Sequence, residues 1–479
     1  MVSRRSFLTL AGGLIAENQG FARIRSDPEG VLEADLTAAP SWTAFGGREA
    51  RLYTYNGVYA PVLEAQAGDT LRIRLFNGLA TPTNLHFHGL HVAPDGHADN
   101  PFLHAPPGES IQYELTIPKG HPSGTFWIHP HVHSFTADQV FRGLFAILLV
   151  RGELDEIPEV AAASEQLLVL KDFNVQTNGE IPTPGMMDRM LGREGSSLTV
   201  NGQIEPRLTV RQAGATRLRI VNASASRYFR LVVEEHPLYL IASEGGPLSY
   251  GSCVEELLLA PGQRAEAIVL GSRTPGSYRI LAYPYSRSSS AEAEGGRGLR
   301  TLAYLDYEGR ELIPIPAPEY LVSTQPLKQP SSAVRRFVLG GNVRFGVHPD
   351  FSINGRRYDP DRVDTVVHRG AVEDWELVNI SSMDHPFHVH TNSFQVLRPD
   401  LSVDPAWRDV VHVPRNGRAR IRTRFADFTG RTVYHCDILD YEDLGMMGTL
   451  EIKETSTERL WREAVCEVGI GQNYSRSRA

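Results

Sequence analysis

Cysteine and methionine are scarce in this chain, with three cysteines and seven methionines among 479 residues. Three cysteines cannot build a disulfide framework, so a cysteine with a special role is expected to be a metal ligand or a buried residue. Cys253 and Cys466 have no neighbours of metal-ligand type, and we interpret both as structural. Cys436 differs, because in the segment "VYHCDILDYEDLGMM" a histidine precedes it and a methionine follows ten residues later.

Excess positive charge and long apolar runs are also missing. The formal net charge is −8, which gives no electrostatic reason to bind nucleic acid. No run of about 20 apolar residues is present to span a bilayer as a helix. The sequence therefore predicts neither a nucleic-acid partner nor an integral membrane segment in the mature chain.

The N-terminus carries a signal-like segment, "SRRSFLTLAGGLIA", in which Arg4 and Arg5 precede a short apolar stretch. This arrangement resembles a twin-arginine export signal. The alternative is a disordered basic tail. We expect residues 1–28 to be an export signal with an N-terminal tail, and the twin-arginine export machinery to be a partner. The mature protein is then periplasmic or extracellular.

A weak internal repeat divides the rest of the chain into three units. Asn-Gly pairs at 56–57, 201–202 and 354–355 lie about 150 residues apart. Each is followed by alternating polar and apolar residues, such as "LRIRLF" and "RLRIV", which is the pattern of half-buried antiparallel strands. The pattern predicts an all-β chain of three consecutive Greek-key β-sandwiches. The predicted bounds are 29–155, 156–310 and 335–479, with a proline-rich linker at 311–334.

Histidines occur in His-x-His pairs more often than chance allows. Seventeen histidines in a chain of this length would give roughly 0.6 such pairs. The sequence has four: His86/His88, His129/His131, His131/His133 and His388/His390. Because residues two apart on a strand point to the same face, each pair presents two imidazoles side by side.

The same alternation divides the residues around Cys436 between two sites, because its two neighbours face one way and the thiol faces the other. One site gathers eight side chains of the first and third units, enough for a multinuclear metal cluster between domains. These are His86, His88, His129, His131, His388, His390, His435 and Asp437. The other site gathers His385, Cys436, Met446 and position 441. Two nitrogens, a thiolate and a long axial thioether form a blue-copper electron-transfer centre.

The motifs "HFHG", "WIHPH", "HPFHVH" and "HC" with a downstream methionine make the chain resemble the three-domain multicopper oxidases of the laccase type. The resemblance covers nearly all of the sequence after the signal. It implies three cupredoxin-like domains and up to four copper ions, one mononuclear and the others in a trinuclear cluster. It also implies that a small reductant, such as a phenol, gives electrons to the mononuclear copper, and that the cluster reduces O₂ to water.

The resemblance assigns the cluster ligands residue by residue. One copper is held by His86 and His388, and a second by His131, His390 and His435. The third is held by His88, His129 and position 437.

Two positions depart from the family pattern, which has histidine at 437 and 441. Asp437 offers an oxygen, so with two histidines it makes a set that can bind a divalent metal. Tyr441 replaces a ligand that is also the route by which substrate electrons enter. A phenol with a pKa near 10 is a poor ligand at neutral pH. We expect either a phenolate-bound copper of altered colour or a site reduced to His385, Cys436 and Met446.

Two carboxylic acids are candidates for the proton delivery that O₂ reduction requires. Glu442 follows the altered position 441 and matches a family acid near the cluster. Asp99, in "PDGHADNP", is the other candidate, with Asp95 as its rival because the loop length leaves the alignment open. For either candidate the alternative is a solvated loop residue.

Two functions compete. The first is an exported copper oxidase that passes electrons from phenols or similar small reductants to O₂, with activity lowered by Tyr441 and Asp437. The second is a degenerate multicopper-oxidase scaffold with a structural or binding role in the cell envelope, as in family members that lost their ligands and serve cell division. Copper storage and nitrite reduction are minor alternatives. Random loss would have eroded the ligands evenly, yet eight of ten expected histidines persist, which favours the oxidase.

Overall fold

A computed structural model of the chain describes residues 21–271, 274–288, 298–342 and 350–455. These residues form six β-sheets that pair into three sandwiches, one after another along the chain. The predicted all-β architecture of three units is confirmed. Most of the predicted export signal, and Cys466, lie outside the described residues.

The first sandwich packs a five-stranded sheet, in the order β1-β4-β9-β8-β6, against a four-stranded sheet, in the order β3-β2-β5-β7. Its strands are β1 (Arg23–Arg25), β2 (Val31–Phe45), β3 (Arg48–Tyr55), β4 (Val62–Gln66), β5 (Thr70–Asn77), β6 (His86–His88), β7 (Ser110–Thr116), β8 (Gly124–His129) and β9 (Ala146–Arg151).

The second sandwich has sheets of six and five strands, in the orders β11-β10-β13-β18-β15-β16 and β12-β20-β19-β14-β17. Its strands are β10 (Ser164–Phe173), β11 (Ser197–Val200), β12 (Arg207–Arg211), β13 (Ala215–Asn222), β14 (Phe229–Val233), β15 (Leu238–Ser243), β16 (Gly246–Val254), β17 (Leu257–Leu259), β18 (Arg264–Leu270), β19 (Gly276–Tyr283) and β20 (Arg300–Glu308).

The third sandwich repeats this plan with the orders β22-β21-β24-β29-β26-β27 and β23-β31-β30-β25-β28. Its strands are β21 (Ala333–Asn342), β22 (Asp350–Ile353), β23 (Thr365–His368), β24 (Val372–Asn379), β25 (His385–Val389), β26 (Phe394–Leu397), β27 (Val403–Arg408), β28 (Val410–Val413), β29 (Arg418–Arg424), β30 (Gly430–Cys436) and β31 (Met447–Lys453).

In the described part of the chain, five short helices connect the sandwiches or lie between them. They are α1 (Thr136–Phe141), α2 (Glu153–Glu156), α3 (Pro158–Ala162), α4 (Met186–Leu191) and α5 (Leu439–Asp443). The backbone N–H of Ala137 in α1 donates to Oδ2 of Asp443 in α5 over 2.9 Å, which links the first unit to the third. Within the described ranges, no helix has the length and apolar character needed to cross a bilayer.

The alternating pattern of the sequence explains the strands. In β5, Leu71, Ile73 and Leu75 are fully buried, while Arg72 and Arg74 between them are exposed. Each sandwich buries such apolar faces in a core of its own. Burying a leucine or isoleucine side chain contributes about 2 kcal/mol, so this spacing favours the strand over a helix.

Two boundaries differ from the prediction. Strand β1 lies inside the segment 1–28 that we predicted as signal and tail, and it pairs in parallel with β4. The first unit therefore begins earlier than residue 29. Strand β21 begins at Ala333, inside the predicted linker 311–334, because its first residues pair with β24.

Candidate metal centre

Strand pairing brings the His-x-His motifs together within each unit. In the first sandwich, β6 pairs antiparallel with β8 so that His86 lies opposite His129. In the third, β25 pairs antiparallel with β30 so that His388 lies opposite His435. Because paired residues on neighbouring strands point to the same face of a sheet, each sandwich presents a group of imidazoles on one face.

These two faces meet between the first and third units. Nε2 of His131 lies 3.0 Å from Nε2 of His435, and Nε2 of His86 lies 3.4 Å from Nε2 of His388. Seven imidazoles gather there with at most 2 % of their surface exposed: His86, His88, His129, His131, His388, His390 and His435. The cluster therefore lies in a buried cavity that side chains of both units enclose.

Backbone carbonyls orient several of these rings. Nδ1 of His129 donates to the carbonyl of the next residue over 2.9 Å, and Nδ1 of His435 does the same over 3.2 Å. Nδ1 of His388 donates to the carbonyl of Asp409 over 2.8 Å. Since Nδ1 carries the hydrogen, Nε2 of each ring keeps a free lone pair that points into the cavity.

The inward nitrogens form sets that fit metal ions. Nε2 of His131 and Nε2 of His390 each lie 3.0 Å from Nε2 of His435. Lone pairs this close repel one another unless a cation lies between them. Among the described residues, four groups of three side chains have their ligand atoms within 4.8 Å of one another in each group. The groups are His86/His88/His129, His86/His388/His390, His131/His390/His435 and His88/His388/Asp409.

The electrostatics of the cavity keep the histidines neutral. Burial lowers the pKa of all seven, and neighbouring imidazoles lower most of them further. The pKa of His388 falls to about 4. Neutral imidazole is the form that binds copper, so the donor set fits that metal.

Cys436 lies on the opposite face of β30 and belongs to a second site, as the alternation predicts. Its Sγ is 3.4 Å from Nδ1 of His385, and both side chains are fully buried. Burial raises the pKa of the Cys436 thiol well above its usual value. A thiolate here therefore needs a cation beside it, and the soft sulfur suits copper.

Met446 completes this second site. The backbone N–H of Cys436 donates to the carbonyl of Met446 over 3.1 Å, which draws the methionine beside the thiol. A Cβ placed on Gly341 would lie 3.1 Å from Nε2 of His385 and 3.5 Å from Cε of Met446. The imidazole and the thioether thus both pack against Gly341, and a Cβ there would push the imidazole by a few tenths of an ångström.

Comparison with known proteins agrees with this geometry. Three multicopper oxidase sequence models match residues 37–155, 165–309 and 328–456, one for each sandwich. The chain belongs to the multicopper oxidase family.

Relatives of this multicopper oxidase span most of its length. The multicopper oxidase mco of Staphylococcus haemolyticus is 28 % identical, covering 90 % of this chain and 91 % of its own. The cell division protein FtsP of Xenorhabdus nematophila is 26 % identical, covering 86 % and 87 %. A solved multicopper oxidase from Campylobacter jejuni, described as a metallo-oxidase, superposes with a TM-score of 0.81 at 29 % identity, covering 91 % and 94 %.

Tyr441 occupies the altered mononuclear position without pointing at the thiol. Its hydroxyl donates to Sδ of Met383 over 2.8 Å, and its ring stacks on Phe351 with the centroids 4.2 Å apart. The side chain is fully buried, and burial raises the pKa of its phenol far above the usual value. A neutral phenol bonded elsewhere is not a ligand, so the set of His385, Cys436 and Met446 is the one the geometry favours.

Asp437, the other altered position, lies beside the cluster in this multicopper oxidase. Its Oδ2 is 3.9 Å from Nε2 of His88, and its Oδ1 is 3.5 Å from Nδ1 of His435. Its oxygens belong to none of the four ligand sets found among the described residues. Gly262, with φ of +78°, comes so close that a Cβ there would overlap Oδ2. Burial raises the pKa of Asp437 well above its usual value.

Both candidate acids lie at the cluster. Oδ1 of Asp99 is 3.0 Å from Nδ1 of His86, while the rival Asp95 is exposed. Glu442 lies 3.5 Å from nitrogens of both His131 and His435. Asp99 is 1 % exposed and Glu442 is fully buried, so the alternative of a solvated loop residue is wrong for both. Burial raises the pKa of Asp99 to about 7 and raises the pKa of Glu442 well above its usual value.

Sequence reasoning missed two residues, Asp409 and Arg264. Oδ1 of Asp409 lies 3.1 Å from Nε2 of His88, although the contact does not have hydrogen-bond geometry. Arg264, in the second unit, donates a hydrogen bond to each carboxylate oxygen of Asp409 over 2.7 Å. It also donates to the carbonyl of Thr125 in the first unit. Asp409 immediately precedes β28, which pairs with β25, so a prediction of that pairing would have found it. Arg264 left no signal in the sequence.

Proposed function

We propose that this multicopper oxidase is an exported enzyme that oxidises phenols or similar small reductants and reduces O₂ to water. The observation that carries the proposal is the backbone link between the two sites: Cys436 belongs to one site, and His435, its neighbour on β30, belongs to the other. A single peptide bond, between His435 and Cys436, therefore joins a site suited to one-electron transfer to a multinuclear site.

Copper, when bound, supplies the one-electron chemistry at Cys436 and the multi-electron reduction of O₂ at the cluster. We assign His385, Cys436 and Met446 to the mononuclear ion. We assign the seven cluster histidines to three further ions, with Asp437 as a candidate oxygen donor to the ion beside His88 and His129. Tyr441 is not a ligand in this proposal.

Two carboxyl groups are suited to hold and pass protons. Asp99 accepts from the backbone N–H of Phe87 over 2.9 Å and faces Nδ1 of His86, so its oxygen is fixed beside the cluster. Its pKa of about 7 lets it take up and release a proton near neutral pH. Glu442 lies on the opposite side, between His131 and His435. Burial raises the pKa of Glu442 well above its usual value and so favours the protonated form, which can donate.

The location rests on the N-terminal segment, which resembles a twin-arginine signal. We propose the periplasm or the extracellular space. A fusion of residues 1–28 to a reporter protein should be exported, and replacing Arg4 and Arg5 by lysine should retain the reporter in the cytoplasm. Export of both fusions alike would contradict the twin-arginine assignment.

A purified sample tests the oxidase directly. Copper per chain, thiolate-to-copper absorption and O₂ uptake with a phenol are measured on the wild type and on Cys436→Ser. The expected result is O₂ uptake by the wild type only. Because the serine variant leaves the seven histidines in place, it should keep the cluster copper and lose the absorption band.

A structural role in the cell envelope is the second candidate. Two observations favour it: the two replaced ligands, and the 26 % identity to a protein named for cell division. A chain that binds no copper, and whose melting temperature copper does not raise, would favour this role over the first.

A further inference from the structure

A cavity of about 390 Å³ opens in the second unit, and the residues that line it all belong to that unit. Aromatic side chains form much of its wall, among them Tyr228, Tyr283 and Tyr285. Tyr283 and Arg300 are exposed at its mouth. An apolar wall with a few polar groups is the usual construction of a small-molecule site.

Two residues that line the cavity are hydrogen-bonded to the segment that carries His385, the proposed copper ligand. The hydroxyl of Tyr285 donates to Oδ2 of Asp384 over 2.6 Å. The backbone N–H of Asp384 donates to the carbonyl of Arg287 over 2.8 Å, and Arg287 also lines the cavity. A ligand in the cavity is therefore separated from His385 by one tyrosine side chain and one residue of backbone.

Tyr228, in the cavity wall, has a hydroxyl group without a hydrogen-bond partner among the described residues. The side chain is 6 % exposed, its ring stacks on Tyr285 with centroids 5.1 Å apart, and its buried hydroxyl has no hydrogen-bond partner within the described chain. A buried hydroxyl left unpaired destabilises the folded protein. A ligand with a hydroxyl group would satisfy it.

The charges around the cavity favour a neutral ligand. Glu194 lies between two arginines, 2.9 Å from Arg227 and 3.2 Å from Arg287. Asp172 lies 3.0 Å from Arg227 as well, so two carboxylates offset the two inner guanidinium groups, and Arg300 is the charged group at the exposed mouth. The rim adds the neutral side chains of Asn174 and Ser196. A neutral aromatic ring with hydroxyl substituents matches the stacked tyrosines and the rim together.

We propose that this cavity is the binding site for the reductant, a small neutral phenol. The inference rests on the proposed oxidase function. The route that the family uses is closed here, because Tyr441 is fully buried beneath Phe351. His385, Cys436 and Met446 would hold the copper, which as Cu(II) would accept one electron from a phenol in the cavity and become Cu(I). The O–H bond of the phenol would break, the proton would leave through the mouth of the cavity, and a phenoxyl radical would depart.

The first experiment measures binding to the copper-free protein, so it does not depend on turnover. The probe is 2,6-dimethoxyphenol, followed by calorimetry or saturation-transfer NMR. Ser196→Trp places an indole in the mouth from an exposed position and should weaken binding at least tenfold. Thr209→Trp, at an exposed position on the outer face of β12, is the matched control and should bind as the wild type does. Tyr228→Phe removes only the hydroxyl and should weaken binding severalfold.

The second experiment separates this inference from the proposed function. The thiolate-to-copper absorption of the copper-loaded protein is bleached anaerobically, either with the phenol or with ferrocyanide, which needs no pocket. Ser196→Trp should slow bleaching by the phenol about tenfold and leave bleaching by ferrocyanide unchanged. Equal binding and equal bleaching in Ser196→Trp and wild type would overturn the cavity while the oxidase stands. A band that neither donor bleaches in the wild type would overturn the oxidase itself.

Discussion

The hydroxyl of Tyr441 donates a hydrogen bond to the sulfur of Met383 over 2.8 Å, in the position where the family has a copper-binding histidine. The phenol is thereby held away from Cys436 by a partner of its own. Tyr441 packs beside the site for which we propose His385, Cys436 and Met446 as ligands.

Replacing Tyr441 separately by phenylalanine and by histidine tests this role. Tyr441→Phe should leave copper content and the thiolate-to-copper absorption unchanged, because the hydroxyl is not a ligand. Tyr441→His should strengthen the absorption by supplying a second nitrogen. The visible spectrum after copper titration gives both results. A loss of absorption in Tyr441→Phe would show that the phenol binds copper after all.

The ion pair between Arg264 and Asp409 should be essential for both stability and metal binding. Both side chains are about 1 % exposed, so Asp409→Asn leaves a buried guanidinium uncompensated, which costs about 3–5 kcal/mol. The substitution should also weaken copper binding about 10- to 100-fold, since Asp409 lies beside His88. Denaturant unfolding and copper titration measure the two effects.

A surface pair provides the control for Asp409→Asn. Arg72 and Glu114 form an exposed contact of 3.1 Å, and Glu114→Gln should cost less than about 1 kcal/mol. Equal effects of the two substitutions would contradict the importance of burial.

The copper-free protein should lose stability as the pH falls below about 6.5. The folded state lowers the pKa of the seven cluster histidines, so the unfolded chain takes up protons that the folded chain excludes. The stability gained from neutral imidazoles is present above about pH 6.5 and declines as the pH falls towards the folded pKa values. Melting temperatures between pH 7.5 and 5 should fall more steeply without copper than with it.

His131→Gln should make this slope shallower by removing one such group. His97→Gln changes an exposed histidine and should leave the slope as it is. Parallel curves for all three copper-free proteins would contradict the electrostatic explanation.

Glu244 should give a pH dependence of the opposite sign. Burial raises its pKa to about 7, although Arg408 opposes the shift. The folded state therefore holds a proton that the unfolded state releases above about pH 4.3. Stability from this group is present at low pH and is lost as the pH rises to about 7.

Glu244→Gln should remove this dependence. The difference in the free energy of unfolding between variant and wild type should change by up to about 1.4 kcal/mol for each pH unit between about 4.3 and 7. The expected measurement is a variant that gains stability relative to wild type as the pH rises. Glu109→Gln, at an exposed position, should follow the wild-type curve. A constant difference between Glu244→Gln and wild type would show that Glu244 ionises normally.

The fold and the histidine cluster could be predicted from the sequence because both depend on which face of a strand each residue occupies. A residue's face on a strand follows from counting by two, so His86 and His88 share a face, and Cys436 and His435 do not. The orientation of Tyr441 could not be predicted in the same way. It depends on Met383, which is distant in sequence, and on the ring of Phe351. Arg264 was missed for a similar reason, since two of its partners, Thr125 and Asp409, come from the other two units.

The set of His131, His390 and His435 takes one ligand from the first unit and two from the last. A ribosome-bound chain that ends before residue 435 therefore lacks this metal pocket, however well its first two sandwiches have folded. Metal capture at this pocket must follow synthesis of the third sandwich and its docking on the first. Copper bound there would link the first sandwich to the third only after both have been synthesised.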